Sequence, residues 1–413
     1  MTVENTIRFV LLWLVGLTTT INSAFAATPV DSSDVVFRLA PIATLEGRLA
    51  RMTSERGGAI LSWVTKEGSG NALYAARVHA TRIKPAFRVT AGDNWFLNRF
   101  DKPSVVALSD KHLAAHWLER IGKRTYGYGY GIRVKFSNND GQSWGKAVIP
   151  HDDRKPVQHG FVQIRPTSST SVQMIWLDGG QAGLAAPMTS NPMALLSAHV
   201  DVNGQVAARS VLDGHVCSCC QPTLKTTERG WLAAYRDRSP GEVRDITAIA
   251  GKRGMMHGQT TLNDGWVIKG CPLNGPALSV QDSRAALAWF TAAGDQPQVR
   301  LAISHDGGRS FEAPMVVATG APLGQVGAVL LEDGSALVSW LELTGAEMEL
   351  RVRQLAATPE KRTPAFVVLR SPTTIATPQM VCSDGHIYLA LEYLGSNRVE
   401  LARLDSTLGS CAR

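Results

Sequence analysis

Beyond its N-terminal stretch, the sequence has no apolar run approaching the ~18 residues that a membrane-spanning helix requires. It also has no run of Lys and Arg with interleaved aromatic residues, so a net charge of +7 indicates a mildly basic protein rather than a nucleic-acid-binding one. No segment of convincing length has helical periodicity. What remains is a chain of 413 residues with 38 Gly and 20 Pro, long enough for one large all-β domain or two ordinary domains.

The N-terminus has the pattern of an export signal. Arg8 precedes the apolar stretch 9–17, and Ala24-Phe25-Ala26 supplies a small-x-small cleavage pattern. We therefore expect residues 1–26 to be a signal peptide and the mature chain, without a transmembrane segment, to be periplasmic or secreted. No cysteine follows the cleavage site, so we expect no lipid anchor. In an oxidising compartment, disulfides are the default expectation for the six cysteines.

A strand pair recurs seven times along the chain. Each copy begins at a Gly or Pro and reaches a bulky residue roughly 15 positions later. The starts are Gly47, Pro103, Gly160, Pro222, Pro276, Gly324 and Pro378. The bulky positions are Trp63, Trp117, Trp176, Tyr235, Trp289, Trp340 and Leu391. With a third and a fourth strand after each pair, units of ~50 residues predict an all-β propeller of four-stranded antiparallel blades.

The count favours seven blades, with six as the alternative if the loop-rich region 179–191 is irregular. The last unit runs out near Leu404 and lacks its outer strand. The segment 35–39 can supply that strand and close the ring. Cys382 in the last unit and Cys411 near the C-terminus would then pin the tail.

Two polar turns set the phase of the repeat. Ser304 to Phe311 has the form Ser-x-Asp-x-Gly-x-Ser-aromatic, and Ser137 to Trp144 is a near copy with Asn139 in place of the Asp. The carboxylate accepts backbone N–H bonds, Gly supplies positive φ, and the ring packs between strands. The residues expected to be structural are Ser137, Asp140, Gly141, Trp144, Ser304, Asp306, Gly308 and Phe311.

These turns and the repeat resemble the Asp-box (BNR-repeat) β-propellers of the sialidase-like superfamily. That superfamily includes exo-sialidases, other glycoside-active enzymes and binding proteins without catalysis, so the fold alone does not choose a function. Strand order places the Asp-bearing turns on one face. It places the loops that enter strand one and leave strand two on the other face, at the mouth of the central channel, where propellers bind ligands.

A cysteine-rich segment lies at this predicted mouth. His215, Cys217, Cys219 and Cys220 are expected one blade away from Cys271, at the equivalent position of the repeat. One interpretation is structural, with one or two disulfides such as Cys271 to Cys217 or Cys219. The alternatives are a copper or zinc site, since thiolates and imidazole suit those ions, and redox chemistry or covalent cofactor attachment. Neither a C-x-x-C-H haem pattern nor the spaced Cys pairs of a zinc ribbon is present.

An Arg-rich segment, 236–245, follows in the same blade. Its arginines and carboxylates predict either a self-satisfied ion-pair network or a clamp for an anionic ligand. The resemblance to sialidases implies an Arg triad, a Tyr nucleophile activated by Glu, and an Asp acid/base. Arg38, in a Phe-Arg-Leu-Ala-Pro segment that has one residue more than the sialidase motif, would be the first Arg. The remaining catalytic candidates are Arg236 or Arg244, Asp237 and Tyr393.

Three functions follow from these patterns. The first is an exported propeller that binds a small molecule or glycan at the channel mouth, with the cysteine segment as a structural or metal/redox edge. The second is an exo-sialidase-type glycoside hydrolase. The third is a non-catalytic scaffold for a protein partner in the cell envelope, which predicts an exposed apolar rim.

Overall fold

The computed structural model describes residues 37–121, 129–151, 157–180, 193–252 and 255–411. These residues form seven antiparallel sheets arranged as the blades of a propeller. The expected signal peptide, residues 1–26, lies outside the described residues and stays a prediction. No helix in the described part of the chain has the length and apolar character needed to cross a bilayer.

Strands are numbered in chain order, and the first one, β1 (Phe37–Glu46), belongs to the last blade. Blade 1 contains β2 (Arg48–Glu55), β3 (Gly58–Glu67), β4 (Gly70–His79), β5 (Arg82–Ile83) and β6 (Phe87–Gly92). Blade 2 contains β7 (Ser104–Ala107), β8 (Leu113–Arg120) and β9 (Tyr130–Ser137). Blade 3 contains β10 (His159–Ser168), β11 (Ser171–Asp178), β12 (Met193–Asp201) and β13 (Val206–Val216). Blade 4 contains β14 (Thr223–Thr227), β15 (Gly230–Arg236), β16 (Ile246–Lys252) and β17 (Met255–Leu262).

The remaining three blades complete the ring. Blade 5 contains β18 (Ala277–Gln281), β19 (Arg284–Thr291), β20 (Gln298–Ser304) and β21 (Met315–Thr319). Blade 6 contains β22 (Pro322–Leu330), β23 (Ala336–Thr344), β24 (Glu347–Leu355) and β25 (Phe366–Ser371). Blade 7 contains β26 (Gln379–Ser383), β27 (His386–Glu392) and β28 (Arg398–Ser406), with β1 as its outer strand. Two short 3-10 turns are formed by Ala293–Asp295 and Pro359–Lys361.

The core lies between the blades. Seven buried apolar clusters each take side chains from two neighbouring blades, one cluster for every interface around the ring. All seven bulky residues of the repeat are at most 4% exposed. Each lies on the second strand of its blade, which has a neighbouring strand on both sides. The predicted fold class and the count of seven are therefore confirmed.

Ring closure also follows the prediction. β1 pairs antiparallel with β28, from Phe37 opposite Ser406 to Glu46 opposite Arg398. Cys382 and Cys411 form a disulfide. The C-terminal segment is tied to blade 6 as well, through a bridge between Leu331 and Cys411.

Blade 2 departs from the predicted four strands. Its outer position holds an isolated bridge in which Val134 and Val148 exchange two backbone hydrogen bonds of 2.9 and 2.7 Å. Pro150, two residues later, has no N–H to donate to a ladder. The pairing therefore stops after one residue pair. The region 179–191, where irregularity was expected, lies mostly outside the described residues.

The two polar turns hold the blades together at the face opposite the channel mouth. Burial on its own raises the pKa of Asp306. Hydrogen bonds from the Ser310 hydroxyl and N–H, the Ser304 hydroxyl and the Arg309 N–H outweigh it and lower that pKa to about 2. Gly308 has a φ of +86°, and a Cβ there would lie 2.4 Å from Leu232 of the neighbouring blade.

In the second turn, the side chain that bonds within the turn is Asn139. Its Oδ1 accepts a 2.9 Å bond from the Ser143 N–H, as Asp306 does from Ser310. Asp140, expected to be part of the turn motif, instead pairs at 2.8 Å with Arg77 of blade 1. Its role is therefore contact between blades.

Candidate functional site

The first strands of the blades surround a central cavity of about 170 Å³. Its polar lining consists of cationic and amide side chains, the hydroxyls of Thr223 and Thr377, and one thiol, and it contains no carboxylate among the residues that the structure describes. The cationic residues are Arg51, Arg99, Lys102 and Lys225. The amides are Gln163, Gln221, Gln325 and Gln379, and the thiol is Cys219.

Arg51 on β2 reaches across the channel wall to blade 3. Its Nη2 donates a 2.7 Å hydrogen bond to Oε1 of Gln163. Burial lowers its pKa to about 10, although the nearby carboxylate of Asp101 acts in the opposite direction. The guanidinium is still cationic at neutral pH, and it lies in a channel where few groups balance its charge.

Lys225 on β14 is the least compensated of these cations. It makes no hydrogen bond or ion pair with any described residue. Burial lowers its pKa, and repulsion from Arg51 lowers it further. Lys225 and Arg51 are both partly exposed to solvent, and a cation without an ionic partner at such a position attracts anions. Lys225 and Arg51 together therefore create a region of positive potential in the channel.

Lys102 and Asp101 are structural by contrast. The ammonium of Lys102 contacts Oε1 of Glu392 at 3.0 Å and the Thr377 carbonyl at 3.1 Å. Asp101 accepts a 2.5 Å bond from the N–H of Phe161. Burial raises the pKa of Asp101 to about 6 despite these backbone bonds and the charge of Arg51. The positive charge of Lys102 is therefore compensated by Glu392, and Asp101 carries no positive charge. Neither residue can attract an anionic ligand.

The cysteine segment forms one edge of the channel, as the repeat predicted. Cys217, Cys219 and Cys220 are buried, and their sulfur atoms all lie within 4.8 Å of one another. Cys217 Sγ is 3.7 Å from Cys219 Sγ and 3.2 Å from Cys220 Sγ. All three and Cys271 are free thiols, so the disulfide that the first interpretation placed between Cys271 and Cys217 or Cys219 is not formed. His215 is not part of the group, and its Nδ1 contacts the carbonyl of Arg238.

The thiols differ in acidity. Hydrogen bonds from Cys219 and Cys220, with a smaller contribution from the Arg244 guanidinium, hold the pKa of Cys217 well below its ordinary value despite burial. A hydrogen bond from Cys219 lowers the pKa of Cys271 to about 7. The same bonds raise the pKa of Cys219, while burial raises that of Cys220. The pKa values of Cys217 and Cys271 are therefore shifted towards the thiolate form, and those of Cys219 and Cys220 towards the protonated thiol.

The Arg-rich segment is an internal network. Arg238 and Arg244 both bind Glu242, at 2.7 and 2.6 Å, and Arg244 Nη1 also contacts Cys217 Sγ at 3.2 Å. Arg236 is 1% exposed and donates to the backbone carbonyls of Asn274, Arg244 and Phe290 at 2.9, 2.5 and 2.7 Å. All three nitrogens of the Arg236 guanidinium therefore donate to backbone carbonyls inside the protein, and Arg236 does not line the central cavity.

The other sialidase-type candidates do not meet at one site. Arg38 is exposed on β1, the outermost strand of blade 7, opposite Asp405. Asp237 lies in blade 4, where its Oδ1 accepts a 2.7 Å bond from the Arg238 N–H and burial raises its pKa. Tyr393 lies in blade 7 beside a separate cavity of about 650 Å³.

Tyr393 does pair with a carboxylate. Its hydroxyl donates a 3.0 Å bond to Oε2 of Glu400. Burial and this bond raise its pKa to about 12, which opposes ionisation of the phenol. Tyr393 does not line the central channel cavity, so the pair lies apart from Arg51 and Lys225.

Sequence reasoning missed Arg51, Gln163 and Lys225 because it examined loops, whereas these residues lie inside the first strands. A signal was available in the repeat. Gln163 and Lys225 each lie three residues after the starts Gly160 and Pro222, at equivalent positions facing the channel. A polar residue at that phase of a propeller repeat indicates the channel wall.

Comparison with known proteins gives the fold. An ulvan lyase of polysaccharide lyase family PL25, bound to a GlcA-containing fragment, matches with a TM-score of 0.53 and 10% identity, over 90% of this chain and 98% of that one. A second polysaccharide lyase matches with a TM-score of 0.50 and 8% identity, over 86% and 89%. At these identities the two lyases share the fold with this chain and show nothing further. A NanB sialidase variant from Streptococcus pneumoniae aligns over 90% and 94% of the two chains, with 8% identity and a TM-score of 0.45. No family model and no curated protein matches the sequence.

Proposed function

We propose that this sialidase-like propeller is an exported binding protein that takes an anionic small molecule or acidic sugar in the mouth of its central channel. The observation that carries the proposal is the pair Arg51 and Lys225, two cations that face one cavity whose described lining includes no carboxylate. Asp101 acts on Arg51 from outside the cavity lining, and an anionic group placed between the two cations would supply the counter-charge that Lys225 lacks.

The cavity limits the size of the ligand. Its volume of about 170 Å³ is close to that of an engineered cavity of about 150 Å³ that holds one benzene molecule. One sugar ring or a small carboxylic acid therefore fits, and the rest of a longer glycan would extend outside the mouth. Gln163 and Gln379 supply amide groups that suit hydroxyls, whereas Gln325 bonds within the protein through both atoms of its amide. An ulvan lyase of the same fold is bound to a GlcA-containing fragment, which makes a sugar acid the first ligand to test.

Hydrolysis is less well supported than binding. Arg236 is buried and donates to three backbone carbonyls, and Arg38, Asp237 and Tyr393 lie in different parts of the ring. A scaffold role would need a contiguous apolar rim. The exposed large apolar side chains of the described residues are distributed over blades 3 to 7, as is usual for a surface.

The test is titration calorimetry of the mature chain with glucuronate and with glucose as its neutral counterpart. We expect glucuronate to bind, glucose to bind at least about tenfold more weakly, and the difference to shrink with added salt. Lys225→Met should weaken glucuronate binding by about 10- to 100-fold, the effect of losing one charge-assisted hydrogen bond. Arg88→Gln, on the surface and paired only with Glu67, is the matched control. Equal affinity for the two sugars, or full affinity in Lys225→Met, would show that the channel cations do not select the ligand.

A further inference from the structure

The three buried thiols before β14 have the arrangement of a ligand set for one soft metal ion. With metal–sulfur bonds of about 2.3 Å, three sulfur atoms around an ion lie about 4 Å apart. The observed separations of 3.7 and 3.2 Å, with all three atoms inside 4.8 Å, are close to that triangle. Small side-chain rotations would be enough to seat an ion. We propose that Cys217, Cys219 and Cys220 bind one Cu(I) ion as three thiolates.

The number of ligands favours Cu(I) over zinc. Structural zinc sites are almost always four-coordinate and tetrahedral. Within the described residues, three donors lie within 4.8 Å of one another; Cys271 is hydrogen-bonded to Cys219 but is not within that distance of all three sulfurs, and His215 contacts the Arg238 carbonyl instead. Thiolates are the ligands that select Cu(I). On binding, the ion replaces the thiol protons, which leave to solvent.

The surroundings supply counter-charge. Three thiolates and one Cu(I) carry a net charge of −2, which is unfavourable in a buried site unless cations are close. Arg244 Nη1 is 3.2 Å from Cys217 Sγ, and Glu242 fixes the same guanidinium through a 2.6 Å bond. Groups that orient a ligand in this way affect metal affinity without binding the ion.

Access is provided at one side of the cluster. Cys219 forms part of the channel lining, and Cys271, half-buried, is hydrogen-bonded to it. We assign Cys271 as an entry thiol that receives the ion and transfers it to the buried trio. This site uses residues different from Arg51 and Lys225, so the result of its test does not depend on the proposed anion site.

The experiment is anaerobic titration of the reduced mature chain with Cu(I) held by the chelator bicinchoninate, followed by X-ray absorption spectroscopy of the loaded protein. We expect one Cu(I) per chain with three sulfur neighbours. Cys217→Ser, Cys219→Ser and Cys220→Ser should each lower the affinity by more than the roughly 10- to 100-fold expected for Arg244→Gln. Cys271→Ser keeps only the trio as free thiols, so it should retain stoichiometry and coordination but take up copper more slowly.

Arg88→Gln is the control for the arginine variant, and circular dichroism with a thermal melt shows which variants fold. If one of the thiol variants unfolds, the affinities of the other two provide the test. The number of sulfur neighbours in the wild-type spectrum does not depend on any variant. Four sulfur neighbours, zinc that withstands a Cu(I) challenge, or no uptake by the reduced chain would each overturn the proposal. So would unchanged affinity in the folded thiol variants.

Discussion

Replacing Arg236 by methionine is expected to destabilise the propeller instead of removing a ligand contact. The side chain is 1% exposed, and its three hydrogen bonds reach the carbonyls of Arg244 in blade 4, Asn274 before blade 5 and Phe290 on β19. Its guanidinium also lies 4.9 Å from the centre of the Trp266 ring. Methionine fills much of the same volume but leaves all three carbonyls without a donor.

The magnitude follows from those bonds. Each net hydrogen bond to a charged group is worth about 1.5–3 kcal/mol. Part of that loss is offset because the methionine variant no longer buries a charge. We therefore expect a loss of about 3–5 kcal/mol in the free energy of unfolding, as for breaking a buried ion pair. The unfolding entropy of a propeller of this size is about 0.8 kcal/mol per kelvin, so Tm should fall by about 4–6 °C.

The assay combines a thermal melt with the glucuronate titration. Arg236→Met should melt earlier and, below its Tm, should bind glucuronate with nearly unchanged affinity. Arg88→Gln, an exposed arginine variant, should change neither quantity. A variant that kept its Tm and lost ligand affinity would refute the structural role and restore Arg236 as a ligand-binding residue.

Three further predictions concern stability. Gly308→Ala should destabilise by about 1–3 kcal/mol more than Gly307→Ala, because both have positive φ but only the Cβ at Gly308 meets the neighbouring blade; chemical denaturation measures the difference. Asp101 has a pKa of about 6 when folded, so the stability it contributes is complete below about pH 4 and is lost as the pH rises through about 6. Asp101→Asn should remove about 2 kcal/mol of the difference in unfolding free energy between pH 4.5 and pH 7.5. Cys382→Ser should cost about 3–4 kcal/mol, since its bridge to Cys411 spans 29 residues.

Each of these has a result that would count against it. Equal stability of the two glycine variants would mean that the contact between blades does not matter. A wild-type pH profile retained in Asp101→Asn would place the titrating group elsewhere. An unchanged denaturation midpoint in Cys382→Ser, with the thiol of Cys411 reactive, would mean that the tail is held by packing alone.

Most of the fold was predictable because the repeat is written in residue types with strong local preferences. Gly or Pro marks strand starts, and a buried ring, or Leu391 in blade 7, marks each second strand, so the phase of all seven blades follows from the chain. Blade 2 was not predictable in detail. Its outer strand is reduced to one bridged residue pair, Val134 and Val148, because Pro150 follows closely. A pattern derived from all seven repeats does not show such a local difference in one blade.

The site was less predictable because the residue types in a segment do not show in which direction each side chain points. Arginines near the mouth suggested an anion clamp, yet Arg236 points to carbonyls and Arg244 to Glu242 and Cys217. The cations that do face the channel, Arg51 and Lys225, are isolated in strands and carry no motif. The thiol cluster was predictable in place, because four cysteines share one phase of the repeat. The distances between their sulfur atoms, which bear on whether they form a disulfide or a metal site, required the structure.

A structure of the mature chain with glucuronate bound would test the central claim most directly. The proposed function predicts the carboxylate in the channel mouth, within hydrogen-bond distance of Lys225 and Arg51 and with Gln163 near the sugar hydroxyls. A carboxylate found instead beside Tyr393 and Arg398 in blade 7, with the channel cations unchanged, would contradict it.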